Sequence, residues 1–264
     1  MVDGPLPLPE PNELGPGAVG AALRAGVRDF IRAPLFGLFF SAVYVGGGMV
    51  LWAVAAASGQ EWWLIPVIVG FPLLAPFAAI GLYEVSRRLE AGQPLIWREV
   101  LGVVFAQKDR QIPSMAMVVL LLFMFWVFVA HTLFALFMGL QAMTNVTSSL
   151  AILLEGNGPL MLVVGSLVGA VFAAVLFSVT VVGLPMLLEH EVDFISAIIV
   201  SFRAVLANLP TMVMWGVVIA LMLAVGMAPW FMGLFIVLPI LGHASWHMYR
   251  QLVGTDQVGR ITGS

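Results

Sequence analysis

Between Arg110 and Glu155 the chain carries no formally charged side chain, and four further stretches are equally bare: Ala33 to Gln60, Trp62 to Tyr83, Gly156 to Leu188 and Ala204 to Tyr249. A helix that crosses about 30 Å of hydrocarbon needs about 20 mostly apolar residues. Inside lipid such a segment has to satisfy its own backbone hydrogen bonds, which a helix does. The stretch from Gln111 holds one such helix, Ile112 to about Met138, followed by an apolar loop. The stretch from Ala204 is long enough for two, and the remaining three hold one each. The chain therefore reads as an all-α polytopic membrane protein with six transmembrane helices. Composition agrees, since 61% of the residues are hydrophobic and 9% charged, against roughly 25% charged in an average soluble domain.

The opening "MVDGPLPLPEPNELGPG" is rich in proline and glycine and lacks the basic-then-apolar order of a secretory signal. Residues 1–17 are expected to be a disordered cytoplasmic tail, 18–253 the six-span membrane domain and 254–264 a second cytoplasmic tail. Basic residues resist translocation, and here they alternate with the spans. Arg24, Arg28 and Arg32 precede the first; Arg87, Arg88, Arg98, Lys108 and Arg110 lie between the second and third; Arg203 lies between the fourth and fifth; Arg250 and Arg260 follow the sixth. All eleven fall on one side, so both termini are expected in the cytoplasm. The absence of cysteine removes disulfides, thiolate metal sites and cysteine nucleophiles.

Pro34, Pro113 and Pro210 each open a predicted span, a position where the missing N–H costs nothing. Each is preceded by a shorter helical segment, which suggests a threefold repeat of interfacial helix, proline and helical hairpin. In the first such segment, "AVGAALRAGVRDFIRA", Val19, Leu23, Val27 and Phe30 share one arc and Arg24, Arg28 and Arg32 the neighbouring one. That pattern suits an amphipathic helix lying in the headgroup plane with its arginines toward anionic lipid phosphates.

Pro72 and Pro76 lie inside the second span, where prolines remove backbone bonds and tend to kink a helix. Glu84 can pair with Arg87 or Arg88 three or four residues on, which reads as a solvated pair at the membrane boundary. His243 and His247 share a helix face near the end of the sixth span. With Arg250 at the boundary they lie about 10 Å and 4–5 Å into the membrane. Being on one face, they cannot be the two axial ligands of one haem. With Trp246 and Tyr249, His247 reads as part of an inner aromatic belt, and His243 as a hydrogen-bonding partner of a neighbouring helix. A metal at the cytoplasmic rim would require Glu84, His190, His243 and His247 to converge. No closed ligand motif is present, and neither a metal nor another cofactor is expected.

The segments "RAGVRDFIRAPLFGLFFSAVY", "GFPLLAPFAAIGLYEVSRRLEAGQPLIW", "FSVTVVGLPMLLEHEVDFISAIIVSFRAVLAN" and "LPILGHASWHMYRQLV" resemble a family of predicted bacterial integral membrane proteins catalogued as domain of unknown function 2189. The resemblance extends over about residues 18–253, with "GLYEVSRRLEAG" and "LGHASWHMYR" as its most specific strings. It implies a six-span protein of the bacterial inner membrane and assigns no activity.

No Asp, Glu, Lys or Arg lies deep in a predicted span, whereas ion-coupled carriers usually keep such a charge on their pathway. The leading expectation is a non-catalytic accessory subunit or assembly scaffold of a larger membrane complex. Its partners would be the bilayer, anionic headgroups and other membrane subunits, with no nucleic acid. The alternative is a passive channel or facilitator for a small solute, with a cavity near Pro72, Pro76, Ser178, Thr180 and Pro239. The third is a metal-dependent membrane enzyme at the cytoplasmic rim.

Overall fold

The computed structural model describes residues 9–58, 64–139, 156–229 and 231–254, and the regular structure among them is helical. Ten α-helices follow one another: α1 (Ala18–Arg32), α2 (Pro34–Ser58), α3 (Leu64–Glu90), α4 (Trp97–Ala106), α5 (Ile112–Met138), α6 (Gly158–Thr180), α7 (Gly183–Glu189), α8 (Phe194–Ala207), α9 (Leu209–Met227) and α10 (Leu234–Val253). Among the described residues, three stretches are long and apolar enough to cross a membrane: Ile112–Met138, Gly158–Glu189 and Leu209–Met227. A fourth arises if α1 and Pro34–Val50, whose axes meet at 96°, form one broken span. The second half of α10 carries His243, His247, Arg250 and Gln251 among its apolar residues, which lowers its hydropathy. The expected connections around Glu61 and Glu155, the loop after Met138 and the tails 1–8 and 255–264 lie outside the described residues.

Prolines set the helix starts as the sequence predicts. Pro34 is the first residue of α2, Pro113 the second of α5 and Pro210 the second of α9. Each follows a shorter helix: α1, α4 with its 3-10 turn (Gln107–Asp109), and α8. Within α3 the helix runs unbroken through Pro72 and Pro76. Pro76 is buried, and the Pro72 side chain lies outside the described residues.

The chain forms two compact units, residues 1–117 with 178–264, and residues 118–177. The smaller one is a helical hairpin. Trp126 and Phe125 meet Phe172 at ring-centroid distances of 5.6 and 5.5 Å, and Gly169 lies under the Trp126 ring.

In the larger unit, α10 is the central strut, packed by α1, α2, α3 and α9. The contact face of α1 is Ala18, Val19, Ala22, Gly26 and Asp29. This differs from the arc expected to be apolar: Val27 is exposed and Leu23 and Phe30 are half-buried. The reason is steric, because a Cβ on Gly26 would stand 2.6 Å from the Ile240 carbonyl oxygen and 2.7 Å from the Ala244 nitrogen. The two backbones approach as closely as small-residue helix faces allow. The segment just before α1 is tied to the larger unit by two backbone N–H groups. The Asn12 N–H donates to Leu252 O (2.7 Å), and the Leu14 N–H to Asn208 Oδ1 (2.7 Å).

Candidate functional site

The chemistry-bearing residues singled out from the sequence lie toward the C-terminal ends of α3, α7 and α10. Glu84, in the last turns of α3, accepts from Arg87 Nε (2.7 Å) and Nη2 (3.0 Å) and from Arg88 Nε (2.7 Å). Arg88 goes on to Pro94 O (3.2 Å) and to the Glu99 carboxylate of α4. The predicted pairing is present, but its setting is not solvated, for Glu84 has 0% of its surface exposed. Two guanidinium groups supply three charge-assisted bonds to its two oxygens, which compensates the carboxylate for lost water.

α10 carries the rest of the group on one side. His243 Nδ1 and the Ser86 hydroxyl of α3 share a hydrogen bond of 2.8 Å, the inter-helix contact expected of this histidine. The Asp29 carboxylate of α1 is 2.6 Å from His247 Nε2 and also bonds to Ser86. Ser86 has one proton to give. His243 Nε2 is buried without a partner among the described residues. Burial raises the Asp29 carboxyl, but the hydrogen bond and charge of His247 outweigh it and hold the group below the usual carboxylate range. A depressed carboxylate contributes stability that is present above its unfolded pKa, about 3.9, and is lost as pH falls through the lower folded value.

One turn further on, the expected aromatic belt is replaced by a buried polar network. Trp246 and Tyr249 are both fully buried. Trp246 Nε1 donates to Glu90 Oε2 (3.1 Å), and the Tyr249 hydroxyl to Glu189 Oε2 (2.6 Å). Arg250 bridges the same two acids, reaching Glu90 Oε1 at 3.2 Å and Glu189 Oε1 at 2.8 Å. Their rings turn inward because a buried Trp or Tyr can satisfy its polar handle on a carboxylate, and α3 and α7 each present one.

His190 caps the end of α7, 2% exposed, with its Nε2 3.5 Å from Glu189 Oε2 and neither ring nitrogen hydrogen-bonded. Burial pushes its imidazole below the ordinary histidine value, against the opposing pull of Glu189 and with help from Arg250. Its carbonyl accepts from Arg110 Nη2 at 3.1 Å. Glu84, His190, His243 and His247 thus serve separate contacts. Among the described residues, no three His, Asp or Glu side chains form a group that could hold a metal ion. Arg24, Arg28 and Arg32 are exposed on the outer face of α1, as the sequence pattern places them.

Sequence reasoning missed Asp29, Ser86, Glu90, Ser201 and Asn208. The Ser201 hydroxyl accepts the Val182 N–H at 3.1 Å, at the break between α6 and α7. Asn208 holds the N-terminal segment by donating to Asn12 O (3.0 Å). One signal was available: Asp29 is the single acid in the run from Arg24 to Arg32, and at 100° per residue it falls on the opposite side of the helix from Val27.

An apolar cavity of about 260 Å³ lies between α2, α3, α9 and α10. Small residues, Ala75, Ala78 and Ala79 of α3 with Gly242 and Ser245 of α10, open it, and Phe40 and Leu223 line it further. Its lining includes none of Pro76, Pro239, Ser178 and Thr180, near which a facilitator's cavity was expected.

Residues 64–189 match a family model described as a predicted integral membrane protein, DUF2189. No curated protein and no solved structure matches the chain. The matched segment covers α3 to α7, with Glu84, Arg87, Arg88 and Glu189, and stops before His243 and His247. Over residues 64–189 the chain is therefore similar to the predicted integral membrane proteins of domain of unknown function 2189.

Proposed function

We propose that the protein is a non-catalytic accessory subunit or assembly scaffold of a larger complex in the bacterial inner membrane. One observation carries this reading: four carboxylates at the ends of α1, α3 and α7 each engage two partners. Asp29 engages His247 and Ser86, Glu84 engages Arg87 and Arg88, Glu90 engages Trp246 and Arg250, and Glu189 engages Tyr249 and Arg250. Asp29, Glu90 and Glu189 tie their helices to α10 and Glu84 holds the arginines of its own helix, so these acids are not free to transfer protons to a substrate, and a tied platform suits a protein that positions others. The reading includes six crossings, made by α2, α3, α5, α6 with α7, α9 and α10. The lengths of α2, α3 and α10, at 25, 27 and 20 residues, support the additional three. Both termini are then cytoplasmic, and the short helix that precedes each of Pro34, Pro113 and Pro210 supports a threefold repeat.

The test is affinity purification from native membranes in mild detergent, with quantitative mass spectrometry of what stays bound. A companion at fixed ratio is expected. Companion-free, monomeric protein would contradict the proposal and favour the second reading, a passive facilitator, which the apolar cavity beside Pro76 supports. Flux through proteoliposomes would then decide that second reading.

A further inference from the structure

We infer that the outer face of α1 is a binding site for anionic phospholipid headgroups, with arginines on the phosphates and neighbouring apolar side chains in the acyl boundary. The inference is independent of whether the protein has companion subunits. At about 100° per residue, Val27, Ile31, Arg24, Arg28 and Arg32 fill one continuous arc of about 140°. All five are exposed, Ile31 to 70%. The buried face, Ala18, Ala22, Gly26, Asp29 and Val19, is centred about 160° away and packs on α10. The orientation of the helix is therefore fixed, and the arc it turns outward is divided lengthwise. Val27 and Ile31 form the apolar flank, and the three arginines, one turn apart, form the basic flank.

Among the described residues, no carboxylate lies within ion-pair distance of Arg24 or Arg32. Arg28 is 3.8 Å from an Asp29 oxygen, but that carboxylate is 2% exposed and committed to His247. An acidic protein segment would satisfy the arginines and leave Ile31 in water. A headgroup and its acyl chains satisfy both flanks, since each arginine can reach a phosphate while its stem follows the apolar surface.

Two features place this face at headgroup level. α1 lies at 96° to Pro34–Val50, so it runs along the membrane surface if that segment crosses. At the elbow, Trp97 of α4 stacks on Phe36 with centroids 3.8 Å apart and stays 38% exposed, as tryptophans at the membrane interface do.

The experiment uses purified full-length protein in nanodiscs of equimolar phosphatidylcholine and phosphatidylglycerol, with native mass spectrometry of the lipids that remain bound. Wild type is expected to retain phosphatidylglycerol in excess over phosphatidylcholine. The preference should fall about fivefold for each arginine replaced by glutamine, on the order of 100-fold for Arg24→Gln/Arg28→Gln/Arg32→Gln, and survive in the triple lysine variant. If the triple glutamine variant does not fold, the three single variants give the same reading. No preference in wild type, or an undiminished one in the glutamine variants, would overturn the inference. So would glutamine variants that keep the lipid and lose a protein companion, because the arc would then be a protein-docking face.

Discussion

Replacing Glu84 by alanine is expected to destabilise the protein by about 3–5 kcal/mol, the range for removing one partner of a buried ion pair. Glu84 is fully buried and holds two guanidinium groups. Those two are not equivalent. The Arg87 side chain is 39% exposed and can turn to water, whereas that of Arg88 is 11% exposed and would keep only Glu99 and a carbonyl. Most of the loss should therefore come from Arg88. The double variant Glu84→Met/Arg88→Met, which removes the stranded charge, is expected to recover much of it, since buried pairs can often be replaced by apolar residues of similar volume. Unfolding in detergent, followed by tryptophan fluorescence, reads both. A single-variant loss below about 1 kcal/mol would mean that Glu84 is solvated after all, as surface pairs are.

Gly26→Val is expected to prevent α1 from docking and to leave little folded protein after extraction. A Cβ at residue 26 meets Ile240 O at 2.6 Å, Ala244 N at 2.7 Å and Ala244 Cβ at 2.8 Å. Two of these are backbone atoms of a helix interior, so relief requires moving α1 off α10. Gly26→Ala, despite the helix propensity that alanine adds, is expected to lose about 1–3 kcal/mol by overpacking. Gly20 supplies the control on the same helix. A Cβ there meets only Arg24 Nη1, at 3.5 Å, and Gly20→Ala should be neutral or stabilising by up to about 1 kcal/mol. Equal melting of the two alanine variants would show that α1 is not seated on α10.

The lengthwise organisation was legible in the sequence because it depends on local chemistry. Pro34, Pro113 and Pro210 open helices, and the helix expected from Ile112 to about Met138 has those limits. The Glu84 pairs were legible too, being set by helix spacing. Periodicity did not find the docking face of α1, because Ala18, Ala22 and Gly26 are small rather than strongly hydrophobic, and closeness of approach leaves no hydropathy signal. Nor could it find partners supplied from afar. His247 lies 218 residues from Asp29, and Trp246 and Tyr249 lie 156 and 60 residues from the acids that turn them inward. Read alone, "SWHMYR" looks like a membrane-interface belt, and packing against α1, α3 and α7 makes it a buried joint.

That joint is tested most directly by a double-mutant cycle on Asp29→Ala and His247→Ala, with unfolding free energies measured for wild type, both single variants and the pair. A structural bond between α1 and α10 predicts a coupling energy of at least about 1 kcal/mol. Losses that simply add would show that the two side chains do not meet, and would contradict a cluster of ionisable residues that holds these helices together.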